Sequence, residues 1–213
     1  MHYLNRHQSS IPGDLWERID AAAASAATDR LTARRFLDLE GPYGVGLTSV
    51  EVGADHYCRE PAEGEAGAVA SQAISVPMIR KECGLSARRL EAHQGMGQPL
   101  DLSPVEDAAE AVAAREEEFI YQGEPKFGLE GLMTAADRHT AKVGDWSKVE
   151  QALKDVLAAV EKLETAGFHG PYALAVSPKL YNNLFRRYDG TDMLQLEHLK
   201  RLCELGEIGR AHV

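Results

Sequence analysis

The stretch that decides the fold reads Arg34-Arg-Phe-Leu-Asp-Leu-Glu-Gly-Pro-Tyr-Gly44. It follows an alanine-rich segment in which Leu15 and Ile19 recur on one face of a helix. Inside the stretch, residues 36–40 alternate between apolar and polar side chains, as a β-strand does, and glycine and proline then end the alternation. We therefore predict an N-terminal helix that leads into a short strand and a Gly-rich extended region.

The region 45–76 predicts a long β-hairpin. Apolar residues alternate with polar ones on both sides of a Gly- and Glu-rich middle: Val50 and Val52 before it, Ile74 and Val76 after it. A two-stranded hairpin of this length is not stable alone in water. We expect a neighbouring subunit to support it.

Helical patterns dominate the rest of the chain. Ser103 and Pro104 are typical of a helix start, with Ser103 as the N-cap, and an apolar face then continues to Tyr121. The consecutive acids Glu116–Glu118 predict a solvated face. A second helix is expected from Asp145 or Ser147 onward, and the alternation of helix and strand after residue 131 indicates a compact α/β domain. Its further elements are predicted as a strand at 172–176, a helix starting at 177–178 and a last helix at 194–205.

The net charge of the chain disfavours negatively charged partners. The chain has 23 basic and 33 acidic residues, which gives a formal net charge of -10. Such a chain repels nucleic acid and anionic membranes. No apolar run is long enough to span a bilayer, and residues 1–10 lack the apolar stretch of a secretory signal. We expect a cytoplasmic protein.

No pattern in the chain predicts a catalytic, cofactor-binding or metal-binding residue. The cysteines are widely spaced and form no C-x-x-C pair. Cys203 lies five residues after His198, which places the two on different helix faces, so we predict that Cys203 is a small core residue. Asp55, His56 and Cys58 are predicted to lie in a solvated loop.

Arg34 and Asp38 lie at the junction between the predicted N-terminal helix and strand. One interpretation is a local ion pair, which contributes little if it is exposed. The other is a polar rim for a bound peptide.

Several short stretches, in this order and spacing, resemble the encapsulins, which are bacterial and archaeal shell proteins with the HK97-type capsid fold. The resemblance extends from residue 1 to about residue 206. The stretches are Tyr3-Leu4-Asn5-Arg6, Leu15-Trp16, Arg34 to Gly44, Asp101-Leu102-Ser103, Phe119-Ile120-Tyr121 with Gly123, Gly128 to Leu132, and Gly170-Pro171-Tyr172.

The resemblance implies an α+β, HK97-like capsid fold. Its parts would be an N-terminal helix and signature strand (1–46), an extended β-hairpin arm (47–80), a peripheral domain with a spine helix (81–133) and an incomplete axial α/β domain (134–206). Residues 207–213 match the translation of a common sequencing-library adapter. We therefore expect the natural coding sequence in this chain to stop near Gly206, residues 207–213 to be an artefact, and the fold to be C-terminally truncated.

The resemblance also implies a function. Encapsulins self-assemble into closed icosahedral shells and package enzymes that carry a short C-terminal targeting peptide, such as ferritin-like proteins or dye-decolorising peroxidases. Iron storage or oxidative-stress defence is implied. The positions that match the docking surface are Leu31, Arg34 and Asp38, and the positions that match a pore loop are Asp189, Gly190, Thr191 and Asp192.

No cofactor is expected in the shell. Some encapsulins stack a flavin on a tryptophan just after the arm, and the absence of any aromatic residue in 85–90 argues against flavin here. Iron would be held by the cargo. Two alternatives remain: an HK97-type phage major capsid protein that packages DNA, and an enzyme of the bacteriocin or protease kind.

Overall fold

The computed structural model describes residues 5–53, 56–57, 62–203 and 208–210. The chain divides into two compact units. The first contains Met1–Leu37, Arg80–Glu117 and His139–Val213, and the second contains Asp38–Ile79 and Glu118–Arg138.

The described part of the chain is a mixture of helices and short strands. The α-helices are α1 (Gly13–Arg30), α2 (Ala87–Met96), α3 (Ser103–Gln122), α4 (Gln151–Thr165), α5 (Pro178–Asn183) and α6 (Gln195–Leu202). The strands are β1 (Ser49–Glu51), β2 (His56–Tyr57), β3 (Val69–Ala70), β4 (Ala73–Ser75), β5 (Gly123–Glu124), β6 (Leu129–Glu130), β7 (Leu174–Val176) and β8 (Ile208–Arg210). None of these helices is long and apolar enough to cross a membrane.

The predicted apolar face of α1 is confirmed. Leu15 and Ile19 are buried and pack with Val105 of α3, because residues four apart lie on the same side of a helix. Partly buried side chains from α1, from α2 and from the segments that flank the helices complete this cluster: Ile11, Trp16, Ala23, Leu85, Leu90, Leu100 and Leu102.

The start of α3 lies one residue from its predicted position. Ser103 is the first helical residue, and its N–H donates to the carboxylate of Asp101 at 3.0 Å. The hydrogen bonds from Ser103 hold the pKa of Asp101 below its ordinary value. The carboxylate therefore caps the helix in place of the predicted serine hydroxyl.

A second core forms around α4. Trp146, Val156, Leu184 and Leu199 are buried together there. The helix begins at Gln151, later than predicted, because Asp145 accepts the N–H of Ser147 in a turn and the backbone then takes a positive φ at the residue before the helix. The helix start at Ser177 is confirmed, since its hydroxyl oxygen accepts the N–H of Leu180.

Strands β7 and β8 pair in parallel, with Leu174 opposite Ile208. The predicted strand at 172–176 is thus present in a shorter form. The proposed adapter origin of residues 207–213 and the predicted domain boundaries stay predictions.

The arm is a two-stranded antiparallel ribbon, as predicted. β1 pairs with β4, with Val50 opposite Ile74, and β2 pairs with β3. Side chains of β1 and β3 are exposed, and Val50 keeps 44% of its surface accessible. Asp55 and Cys58 lie outside the described residues, so the predicted solvated loop stays a prediction.

The predicted strand at 36–40 is wrong. Phe36 and Leu37 both donate their N–H to the carbonyl of Ala33, and residues 38–40 belong to none of the strands in the described part of the chain. The alternation is typical of a strand, but the N–H groups of Phe36 and Leu37 at its start donate within a local turn. A strand forms only where those donors find a neighbouring strand.

Candidate docking site

The predicted docking residues begin where α1 ends. Leu31 caps the helix by donating its N–H to the carbonyl of Ala27 at 2.9 Å. Thr32 and Ala33 are buried, and Ala33–Arg35 forms one turn of 3-10 helix. This turn leaves Leu31 half-buried and Arg34 exposed on the same short piece of backbone.

Glu117 of α3 binds the buried part of this turn. One carboxylate oxygen, Oε1, accepts the N–H of Ala33 at 3.0 Å, and the other, Oε2, accepts the hydroxyl of Thr32. Glu117 itself is only 1% exposed. Both oxygens of a buried carboxylate are therefore satisfied by the chain segment directly before Arg34.

The prediction of a solvated face at Glu116–Glu118 is wrong for Glu117. A signal for its burial was present in the sequence: Glu117 lies four residues after Ala113 and four before Tyr121, and these two are 1% and 4% exposed. Residues four apart share a helix face. Glu117 thus occupies the buried face of α3.

Glu116 binds the side chain of Arg34. Nε of Arg34 lies 2.5 Å from Oε1 and Nη2 lies 2.7 Å from Oε2, which is a bidentate arrangement. The hydrogen bond to Glu116 raises the pKa of Arg34 above its ordinary value, and the charge of Glu117 adds to the effect. Nη1, with its two N–H donors, lies outside this pair.

The ion-pair partner of Arg34 is therefore not the nearby residue that one interpretation of the sequence proposed. The local partner considered there was Asp38, whereas the observed partner is Glu116. Asp38 is exposed and belongs to the second unit. The structure brings Leu31 and Arg34 together in one turn and adds two residues that were not singled out, Glu116 and Glu117.

The predicted pore loop is a tight turn between α5 and α6. An isolated antiparallel bridge joins Arg187 to Leu194, and the carbonyl of Tyr188 accepts both the N–H and the hydroxyl of Thr191. Gly190 has a φ of 73°, which favours glycine at this position. Asp192 pairs with Arg187 at 3.0 Å while remaining 96% exposed, so the loop carries a partly balanced charge.

Cys203 and His198 form no catalytic arrangement. Cys203 is 2% exposed, as predicted for a core residue, and burial raises the pKa of its thiol. The ring of His198 packs against Tyr188 with centroids 4.9 Å apart. Among the described residues no three His, Cys, Asp or Glu side chains come together to hold a metal ion. The expectation that the shell binds no cofactor stays a prediction.

Comparisons with known proteins agree on the family. A family model described as "Encapsulating protein for peroxidase" matches residues 1–213. A type 1 encapsulin shell protein from Myxococcus xanthus is 32% identical over 212 residues, covering 96% of this chain and 74% of the relative. A diheme-cytochrome-encapsulin shell fusion protein from Kuenenia stuttgartiensis is 33% identical over 198 residues, covering 90% of this chain and 54% of the relative.

A solved structure supports the fold. The virus-like particle from Pyrococcus furiosus matches with a TM-score of 0.67 at 20% sequence identity, covering 94% of this chain and 75% of that one. The predicted HK97-like α+β fold is thereby confirmed. The relatives are named as shell proteins, which supports a structural role over the phage-capsid and enzyme alternatives. The chain belongs to the family of encapsulating proteins for peroxidase, and it is a self-assembling, non-enzymatic shell protein of the encapsulin type.

Proposed function

We propose that this shell protein assembles with copies of itself into a closed icosahedral container in the cytoplasm and packages a cargo enzyme. The cargo would carry a short C-terminal targeting peptide that docks at the end of α1. The family description names a peroxidase, which favours a dye-decolorising peroxidase and a role in oxidative-stress defence. The net charge of -10 disfavours DNA as the packaged molecule.

The observation that carries the docking proposal is the turn after α1. It offers a half-buried apolar side chain, Leu31, next to an exposed guanidinium, Arg34, that Glu116 holds in one orientation. A short peptide binds well to such a surface because the receptor side chain is already ordered and loses little entropy. Asp38 is retained as a candidate contact from the resemblance alone.

A ferritin-like cargo is the second candidate, and it would give the container a role in iron storage. The acidic loop Asp189–Asp192 supports this alternative, because exposed carboxylates near an opening raise the local concentration of cations. Iron in this case is the substrate of the cargo and not a resident metal of the shell.

The direct test is to co-express the shell with a peroxidase from the same genome, with and without its C-terminal peptide. Purified shells are examined by negative-stain electron microscopy, and the peroxidase that co-purifies is quantified. The proposal predicts hollow particles that retain only the peptide-bearing enzyme. Equal retention of both forms would refute peptide docking, and the absence of particles would refute assembly.

The same assay tests the site. Arg34→Ala should lower the amount of cargo per shell while particles still form. Arg35→Ala is the matched control, since Arg35 is the neighbouring exposed arginine and lies outside the pair with Glu116. Equal effects of the two substitutions would contradict a specific role for Arg34.

A further inference from the structure

Glu117 is a fully buried glutamate, and glutamates are seldom fully buried in proteins unless they are paired. A carboxylate that is removed from water costs free energy unless donors and charges replace its hydration. Here the replacement consists of the Thr32 hydroxyl and the Ala33 N–H, together with the nearby charge of Arg34. An apolar side chain would fill the same space at a lower cost in free energy. The hydrogen bonds that the carboxylate accepts therefore best explain its presence.

What Glu117 holds is the backbone just before Arg34. The N–H of Ala33 lies two residues after the capping hydrogen bond of α1, in which Leu31 donates to Ala27. By accepting that N–H together with the Thr32 hydroxyl, Glu117 sets the path of the chain out of the helix. The adjacent residue of α3, Glu116, then sets the direction of the Arg34 guanidinium.

Resting on the docking role proposed above, we propose that Glu117 is a positioning residue for cargo recognition. It does not contact the peptide. It holds the turn that presents Arg34, and it acts through Arg34 and Leu31. Two consecutive carboxylates of α3 therefore divide the task, with Glu117 ordering the backbone and Glu116 ordering the side chain.

The test uses a fluorescent protein that carries the C-terminal peptide of the peroxidase and is co-assembled with the shell at graded concentrations. The measured quantity is the reporter concentration at half-maximal loading. Glu117→Ala should raise it about tenfold, the loss typical of a charged hydrogen bond. Glu117→Gln should raise it less, because an amide oxygen can still accept the Ala33 N–H while its NH₂ group donates to the Thr32 hydroxyl oxygen.

A double-mutant cycle separates positioning from general stability. If Glu117 acts through Arg34, Glu117→Ala should cause only a small further loss in a shell that already carries Arg34→Ala. An equal loss of loading in the wild-type and Arg34→Ala shells would mean that Glu117 only stabilises the fold. That result would overturn this inference but leave the docking role of Arg34 intact. No loading of the reporter by the wild-type shell would refute the docking role of the whole site, and the inference with it.

Hydrogen exchange gives a readout that needs no cargo. The amide of Ala33 should exchange faster in Glu117→Ala, whereas Glu116→Ala, the matched control, should leave it protected because it removes only the partner of the Arg34 side chain. Thr32→Val provides a second variant if Glu117→Ala fails to fold, since it removes one of the two donors and keeps the shape. An unchanged Ala33 amide in Glu117→Ala, or in Thr32→Val where Glu117→Ala does not fold, would also overturn the inference.

Discussion

Arg34 and Glu116, which are 82 residues apart in the chain, form a bidentate pair in which Nε and Nη2 donate to the two carboxylate oxygens. The pair is half-exposed, with 48% of the Arg34 side chain and 25% of the Glu116 side chain accessible. Its contribution to the free energy of unfolding is therefore modest, on the order of 1 kcal/mol or less. Its main consequence is the fixed direction of the guanidinium.

Arg34→Glu should reduce cargo loading without stopping assembly. The new carboxylate would face Glu116 and Glu117, so the turn would be repelled from α3. The exchange Arg34→Glu with Glu116→Arg should restore the unfolding midpoint, because the opposite charges meet again, while loading stays low because the cation has moved to α3. Cargo per shell and denaturant unfolding measure the two effects. Full recovery of loading in the exchanged protein would contradict a role for the position of Arg34.

Val50→Asp should impair assembly into particles. Val50 lies opposite Ile74 in a ribbon that is too narrow to be stable by itself, and its side chain is half exposed. We expect another subunit to cover it. Val50→Thr is the matched control, since threonine keeps the branched side chain and the preference for strands. Size-exclusion chromatography and electron microscopy report the outcome, and intact particles from the aspartate variant would speak against the arm as a contact between subunits.

Deletion of residues 52–74 is the stronger form of the same experiment. It removes β2 and β3 and most of the pairing between β1 and β4. We expect no particles from this variant. Particles of normal size would show that the arm is dispensable for assembly.

Asp155→Asn should destabilise the core around α4 and flatten its acid dependence. Burial pushes the pKa of Asp155 upward, but hydrogen bonds from Gly144, Trp146 and Gln151 outweigh it, so the pKa lies below the ordinary value of 3.8. A depressed folded-state pKa contributes stability that is present above pH 3.8 and is lost as the pH falls through the folded value.

The expected loss at neutral pH is about 1–3 kcal/mol, because the asparagine NH₂ group would face a donor. Denaturant unfolding at neutral and strongly acidic pH measures it. Asp192→Asn removes the same charge from a 96% exposed side chain and serves as the control. Equal unfolding midpoints for the two variants at neutral pH would rule out this role for Asp155.

Asp189→Asn should slow the entry of ferrous ions into a loaded shell more than Asp192→Asn does. Both changes remove one negative charge from the loop, but the charge of Asp192 is already partly balanced by Arg187 at 3.0 Å. Quenching of an encapsulated metal-sensitive dye gives the entry rate. The difference should shrink at high ionic strength, since salt screens exposed charges. Identical rates for wild type and both variants would exclude this loop from the cation path.

Local patterns in the sequence predict most of the helices and the arm. The spacing of Leu15 and Ile19, the Ser177-Pro178 start and the alternation around Val50 are all confirmed, because each depends on side chains within one or two turns or on one hairpin. The family could also be predicted from the sequence, since the order and spacing of the short stretches that resemble the encapsulins are properties of the sequence alone.

The candidate site was accessible only in part. Leu31 and Arg34 stand together in the sequence, and the structure keeps them together. The partners of this turn could not be predicted from the sequence, because Glu116 and Glu117 lie 82 to 85 residues away. In addition, nothing local distinguishes three consecutive glutamates before α3 packs against the rest of the chain. Packing buries one of them and leaves its neighbour at the edge. The strand predicted at 36–40 failed for the same reason, since a strand needs a partner that only the folded chain supplies.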